Sequence, residues 1–272
     1  MKWARGFGSG YTIVEIMIVL AISGVIFVSG FALFNGQGAE VNFNQGVADL
    51  ASELSTQARS VSTSQFYGAQ GYSCTASGNP PRATLSASDT AAGATNQDCL
   101  SIGKAFEAAS GARDIYIYNV LGNRLTYSNG SAVGPAGSLA EALPTIATVS
   151  GADLGTDYKL GGGLKIISSK VTDLANQVSP SGLIGYYLDF NGGSGNSQSG
   201  AVLTAKAYNL NASGHNVPAA KACVEGTGCS APTDISLWQL CLESSDAMRR
   251  ASLNIISSAA GVTTNLKFES CT

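Results

Sequence analysis

Hydrophobic and polar positions fall into three regimes along the 272-residue chain. From Ile16 to Phe34 runs a 19-residue stretch without a charge (IMIVLAISGVIFVSGFALF). At about 1.5 Å per residue, a helix of that length crosses a hydrocarbon layer of about 30 Å, so a membrane span is expected. After Asn35-Gly36-Gln37-Gly38 the pattern turns amphipathic. Phe43, Val47, Leu50, Leu54, Ala58 and Val61 step by three or four, the spacing of one helical face, while Asp49, Glu53 and Arg59 fall off that stripe. This segment predicts either a continuation of the span past a glycine-weakened joint or an independent helix of the domain that follows. Beyond Ser64 come short β-branched and aromatic runs between Gly/Ser/Asn clusters: 114–120, 164–167, 183–190, 201–208, 237–242, 251–256 and 265–268. They predict an antiparallel sheet or two packed sheets, an α+β fold with its helix first. Leu139 to Leu143 has room for one helical turn. Thr75 to Asp98, poor in apolar bulk and carrying Pro80-Pro81, is expected to be a surface loop.

The charge pattern gives the first segment a direction. Lys2 and Arg5 precede the apolar run with no acid before Glu15, so the positive-inside rule keeps the N-terminus in the cytoplasm and sends the chain from Gly36 onward outward. A secretory signal would place its small-residue cleavage site after the apolar core. Here Gly6-Phe7-Gly8-Ser9-Gly10 comes before it, so a cut there leaves the span attached. Glu15 is the single acid or base between Tyr11 and Gln37. A carboxylate within a span costs up to about 2.5–3.5 kcal/mol, less near the interface, and such residues mark a function or a partner.

Gly10-Tyr11-Thr12-Ile13-Val14-Glu15, behind a basic leader and ahead of an immediate apolar helix, resembles the processing site of type IV prepilins and type II secretion pseudopilins. In that family a membrane peptidase cuts after the glycine and methylates the new amino terminus. The resemblance makes Gly10 the residue before the cut, Tyr11 the N-methylated first residue and Glu15 the family's glutamate, five residues into the mature chain. Tyr11 stands where phenylalanine is commonest, and the span lacks the proline that many pilins carry. Leu50 to Leu54 and Ala58-Arg59-Ser60 are similar to the end of the first helix in the minor, H-type or fimbrial T-type subfamily. The resemblance implies a pilin-like fold: a leader at 1–10, a transmembrane helix at 11–35, its amphipathic continuation at 36–63, and a β-rich exported head at 64–272. It also implies partners: other pilin or pseudopilin subunits met through the helix, prepilin peptidase, the membrane platform of the assembly machine, and the lipid bilayer before assembly. Cleavage would leave an ammonium group four residues from Glu15, and in a packed bundle of such helices a neighbour's amine could pair with the carboxylate and fix axial register.

Composition narrows the alternatives. Only 12% of residues are charged, against about 25% in an ordinary soluble domain. With 15 Lys+Arg against 18 Asp+Glu the net charge is −3, and removing Lys2 and Arg5 with the leader brings it to −5. Arg249-Arg250 is the sole basic pair, so nucleic acid is not expected as a partner. The six cysteines, Cys74, Cys99, Cys223, Cys229, Cys241 and Cys271, all fall on the expected exported side, where disulfides are favoured over a metal site. Of the 15 possible connectivities, the residue intervals permit the sequential one, Cys74–Cys99, Cys223–Cys229 and Cys241–Cys271, without requiring it. No histidine cluster or C-x₂-C pair supports zinc. The run from Asp189 begins like a calcium loop and then places Gly193 and Gly200 where ligands belong, so a plain turn is expected and no metal or cofactor. His215, the one histidine, is expected to be a solvated loop residue; no G-x-S-x-G elbow accompanies it and no enzyme is expected. The expectation is a structural filament subunit, first a single-pass membrane protein and then part of an extracellular or periplasmic filament. The alternative is a signal-anchored surface adhesin, binding protein or enzyme that keeps its N-terminus.

Overall fold

A computed structural model describes residues 12–62, 72–87, 99–150, 152–189, 202–210, 215–258, 261–268 and 271. The leader and the processing residues Gly10 and Tyr11 lie outside them, as does the calcium-like run from Phe190 to Gly200. The chain opens with one helix, α1 (Ile13–Ser62), and no break separates the apolar and amphipathic segments. The strands that follow are β1 (Tyr72–Ser77), β2 (Arg82–Ala87), β3 (Cys99–Glu107), β4 (Asp114–Asn123), β5 (Leu125–Ser128), β6 (Ser131–Pro135), β7 (Thr145–Ile146), β8 (Thr148–Val149), β9 (Ala152–Asp153) and β10 (Thr156–Lys159). Then come β11 (Lys165–Asp173), β12 (Val178–Pro180), β13 (Leu183–Asp189), β14 (Val202–Tyr208), a short helix α2 (Val217–Val224), β15 (Thr233–Glu243), β16 (Arg250–Ser258) and β17 (Gly261–Lys267).

All strand pairings among these are antiparallel, and the largest sheet runs β10-β4-β3-β13-β14-β15-β11-β12. β15 is its branch point. Asp234 and Thr233 pair with β14, after which Leu237–Glu243 pairs with β16 along the same edge and β11 holds the other. β16 in turn pairs with β17. The fold is α+β, as the strand-rich pattern predicts.

The buried stripe of α1 is the predicted one: Phe43, Val47, Leu50, Leu54, Ala58 and Val61 enter a core with Phe106, Ile117, Tyr186, Trp238 and Leu253. The helix packs on β17, β3, β13 and β16. The Gly161-Gly162-Gly163 turn lets the backbones meet closely. A Cβ on Gly46 would lie 2.8 Å from the Gly161 carbonyl oxygen, and Gly162 adopts φ +63° with the Asn42 carbonyl 2.3 Å from its own would-be Cβ. On the sheet's opposite face a second core forms around Ile102, Tyr118, Tyr187 and Tyr208, covered by α2 and the 139–146 segment.

One expectation needs correction. The first part of the expected loop, residues 75–87, belongs to a hairpin that spans 72–87: Cys74, Ala83 and Leu85 are buried with Cys99 and Leu121, and Pro80-Pro81 sits in its turn. Small residues suffice there because the Cys74–Cys99 disulfide ties the hairpin to β3. The chain from Ser88 to Asp98 lies outside the described residues. A second helix, α2, is short; Asn216 caps it by accepting from the Ala219 amide, and Pro218 occupies its first turn. Ser138 to Leu143 does form a single turn, with the Ala142 amide donating to the Ser138 carbonyl.

Candidate functional site

Two features stand apart from the packed core. The first is the outer half of α1. Over Ile13–Gly30 none of the residues is buried and mean hydropathy is 2.4, so by length and composition this helix could cross a membrane. Ile13, Phe27 and Val28 are among the most exposed, at 80%, 75% and 68%. An apolar surface of this extent on a soluble monomer marks a contact with lipid or protein. Glu15 is exposed in the first turn of α1. The Glu15 amide donates to the Thr12 carbonyl at 3.0 Å and to Thr12 Oγ1 at 3.3 Å. Thr12-x-x-Glu15 is thus the spacing of a capping box, and an acid there also complements the positive end of the helix dipole. The sequence carried this cap signal in plain view, beside the resemblance that drew attention to the same glutamate.

The second feature centres on His215, which is exposed and outside any helix or strand as expected, but whose ring is also engaged. It lies face to face with Tyr116, ring centroids 3.5 Å apart, and its Nδ1 is 2.8 Å from the Tyr118 hydroxyl. Tyr116 and Tyr118 alternate onto one face of β4, and Glu107 reaches that face from β3. The Tyr118 hydroxyl donates to Glu107 Oε2 at 2.5 Å, so its one hydrogen is committed and His215 Nδ1 is the donor to the phenol oxygen. Nε2 of the same ring faces Asp153 Oδ2 at 3.6 Å, and Tyr116 donates to Asp153 Oδ1 at 3.2 Å. Burial first, then the bond to Glu107, holds the Tyr118 hydroxyl far above the usual phenol range; burial and Asp153 raise Tyr116 too. Both phenols therefore stay protonated donors. No sequence pattern announces this cluster, since its members come from β3, β4, β9 and the residue before the cap of α2. It contains no serine nucleophile among its contacts, and no group of three or more His, Cys, Asp or Glu side chains is placed to hold a metal ion among the described residues.

The cysteines pair sequentially, Cys74–Cys99, Cys223–Cys229 and Cys241–Cys271, and none of the six is free. They staple the hairpin to β3, close the end of α2, and tie Cys271 to β15. Arg249 bridges Asp246 at 3.0 Å and Arg250 bridges Glu243 at 2.8 Å, so each guanidinium of the basic pair faces a carboxylate. Compared with known proteins, the chain matches no family model, no curated protein and no solved structure.

Proposed function

We propose that this chain is a structural subunit, a pilin or pseudopilin of the minor kind, in a type IV pilus or a type II secretion pseudopilus. Prepilin peptidase cuts it after Gly10, and it assembles with other subunits through its N-terminal helix. One observation carries the reading: a single unbroken helix has its inner half locked into a disulfide-bonded head and its outer half bare and apolar. A filament subunit needs that combination, because the same outer half must first sit in lipid and then against other helices. Lipid tails are as apolar as leucine, so the exchange is close to neutral in hydrophobic energy and is decided by packing and polar contacts. Glu15 is the one polar charge available for that purpose in the exposed half. Three disulfides fit an oxidising exported compartment, with the N-terminus inside and the head outside.

Mass analysis of the mature N-terminus in the native host tests the reading. Its expected product begins at N-methyl-Tyr11. An intact leader overturns it and leaves a signal-anchored surface protein. Glu15→Ala is expected to insert and to be cut normally yet to be absent from sheared filaments; normal incorporation would remove the pairing role and leave Glu15 as a helix cap.

A further inference from the structure

The His215 cluster borders a cleft of about 270 Å³ on the sheet face away from α1, lined by Glu107, Asp114, Tyr116, Asp157 and His215. Its size falls just below the range of about 300–1,000 Å³ usual for small-molecule sites, which suits a single functional group better than a whole metabolite. Its floor is unusual. Glu107 is only 4% exposed, and its Oε1, almost wholly covered, has no hydrogen-bond partner among the described residues, while Oε2 takes the Tyr118 hydroxyl and, at 3.5 Å, the Asn216 amide. A buried carboxylate oxygen without a donor is costly, so the site is incomplete as it stands. At the mouth, Asp114 and Asp157 are exposed and form no ion pair among the described residues. The wall is the stacked Tyr116–His215 pair.

We infer that this cleft binds an organic cation, a guanidinium or primary ammonium group, which donates to Glu107 Oε1, lies against the Tyr116 ring and is held at the mouth by Asp114 and Asp157. Each element of the lining asks for that chemistry. The orphaned oxygen needs an N–H donor, and the carboxylates favour positive charge over an anion or a neutral alcohol. An aromatic wall adds attraction for a delocalised or alkylated cation that a small hydrated metal ion could not use. The carboxylates do not converge as a metal cage does. The inference stands apart from the filament reading, since it concerns the head and its test requires no filament.

His215 is the only histidine, so its imidazole resonances report on this cleft alone. The full chain in detergent micelles is titrated with methylguanidinium and n-butylammonium chloride at constant ionic strength, with sodium chloride and sodium acetate as controls. Both organic cations are expected to give saturable shifts of the His215 signals, with dissociation constants on the order of 1–10 mM. Glu107→Gln is expected to weaken binding about tenfold or more, the usual loss when a charged hydrogen-bond partner is removed. Responses no different from sodium chloride, or an affinity unchanged in folded Glu107→Gln, overturn the site. If that variant does not fold, the exposed pair Asp114→Asn and Asp157→Asn decides: a drop of about threefold or more supports the site, and no change overturns it. A final arm separates the sources of the cation. Tighter binding of N-acetylarginine methylamide than of methylguanidinium assigns the cleft to a side chain on another polypeptide, and equal binding assigns it to a free small amine.

Discussion

The two halves of α1 share one backbone and one rotation per residue, yet they meet opposite surroundings. In the inner half, apolar residues occupy one stripe, and that stripe is buried: Phe43, Val47, Leu50 and Leu54 are each at most 2% exposed. In the outer half they go all the way round, and none of Ile13–Gly30 is buried. A helix that is apolar on one face is written for a protein core, and one that is apolar on every face is written for a solvent that is itself apolar or for a bundle of like helices. The difference is therefore in the solvent each half is built to meet. Glycines make the same distinction: Gly24 and Gly30 have nothing within 4 Å of a would-be Cβ, whereas Gly46 lies against the Gly161 carbonyl.

The strongest way to break the comparison is to remove the same bulk from each half. Leu50→Ala opens a cavity where the helix meets the sheet and is expected to cost the head about 2–5 kcal/mol in denaturant unfolding of the detergent-solubilised chain. Ile22→Ala, which removes comparable bulk from the bare half, is expected to leave that transition unmoved. Equal losses at both positions would mean that the outer half packs on the head after all.

A milder pair uses the glycines. Gly46→Ala presses a methyl group onto Gly161 O at 2.8 Å and Leu164 Cδ1 at 3.1 Å, and the first of these is backbone that cannot turn aside. A loss of about 1–3 kcal/mol in the same unfolding transition is expected. Gly24→Ala meets empty space, so it is expected to raise helicity by circular dichroism without moving the head's transition. A neutral Gly46→Ala would show that the seam between the helix and the Gly161-Gly162-Gly163 turn is loose.

How much of this could be read in advance follows from the range of the interactions. The α1 stripe is a local pattern with a 3.6-residue period, and six named positions on it are the six that the core takes in. The strands at 114–123, 183–189 and 250–258 announce themselves by Ile, Val, Leu and Tyr. The β1–β2 hairpin does not, because it buries Cys74, Ala83 and Leu85 against a disulfide and a neighbouring strand instead of presenting bulky alternation. α2 is eight residues long, too short for a period to emerge, although Asn216 and Pro218 mark its start. The His215 cleft was illegible for a different reason. Glu107, Tyr118, Asp153 and His215 are brought together by the β3–β4 register and by long connections, and nothing in their spacing along the chain encodes the meeting.

The smallest effect sharpens the contrast through acid. Between Ile16 and Ala39 the outer half carries no titratable side chain, so mild acid has nothing to act on there. The head has Glu243 on β15, bridged to Lys165 on β11 at 2.8 Å and to Arg250 on β16 at 2.8 Å, one carboxylate joining three adjacent strands. Hydrogen bonds from Lys165 and then Arg250 hold its carboxyl below the ordinary value of 4.5. A depressed carboxyl contributes stability that is complete above the unfolded value and is lost as pH falls through the lower folded one. Wild-type melting temperature is therefore expected to fall more steeply than that of Glu243→Gln below about pH 4.5, and the two curves to run parallel above it. Curves that stay parallel throughout the acid range would mean that the three-strand bridge adds nothing to the head, leaving the apolar contacts of α1 and the disulfides to hold the sheet at its branch point.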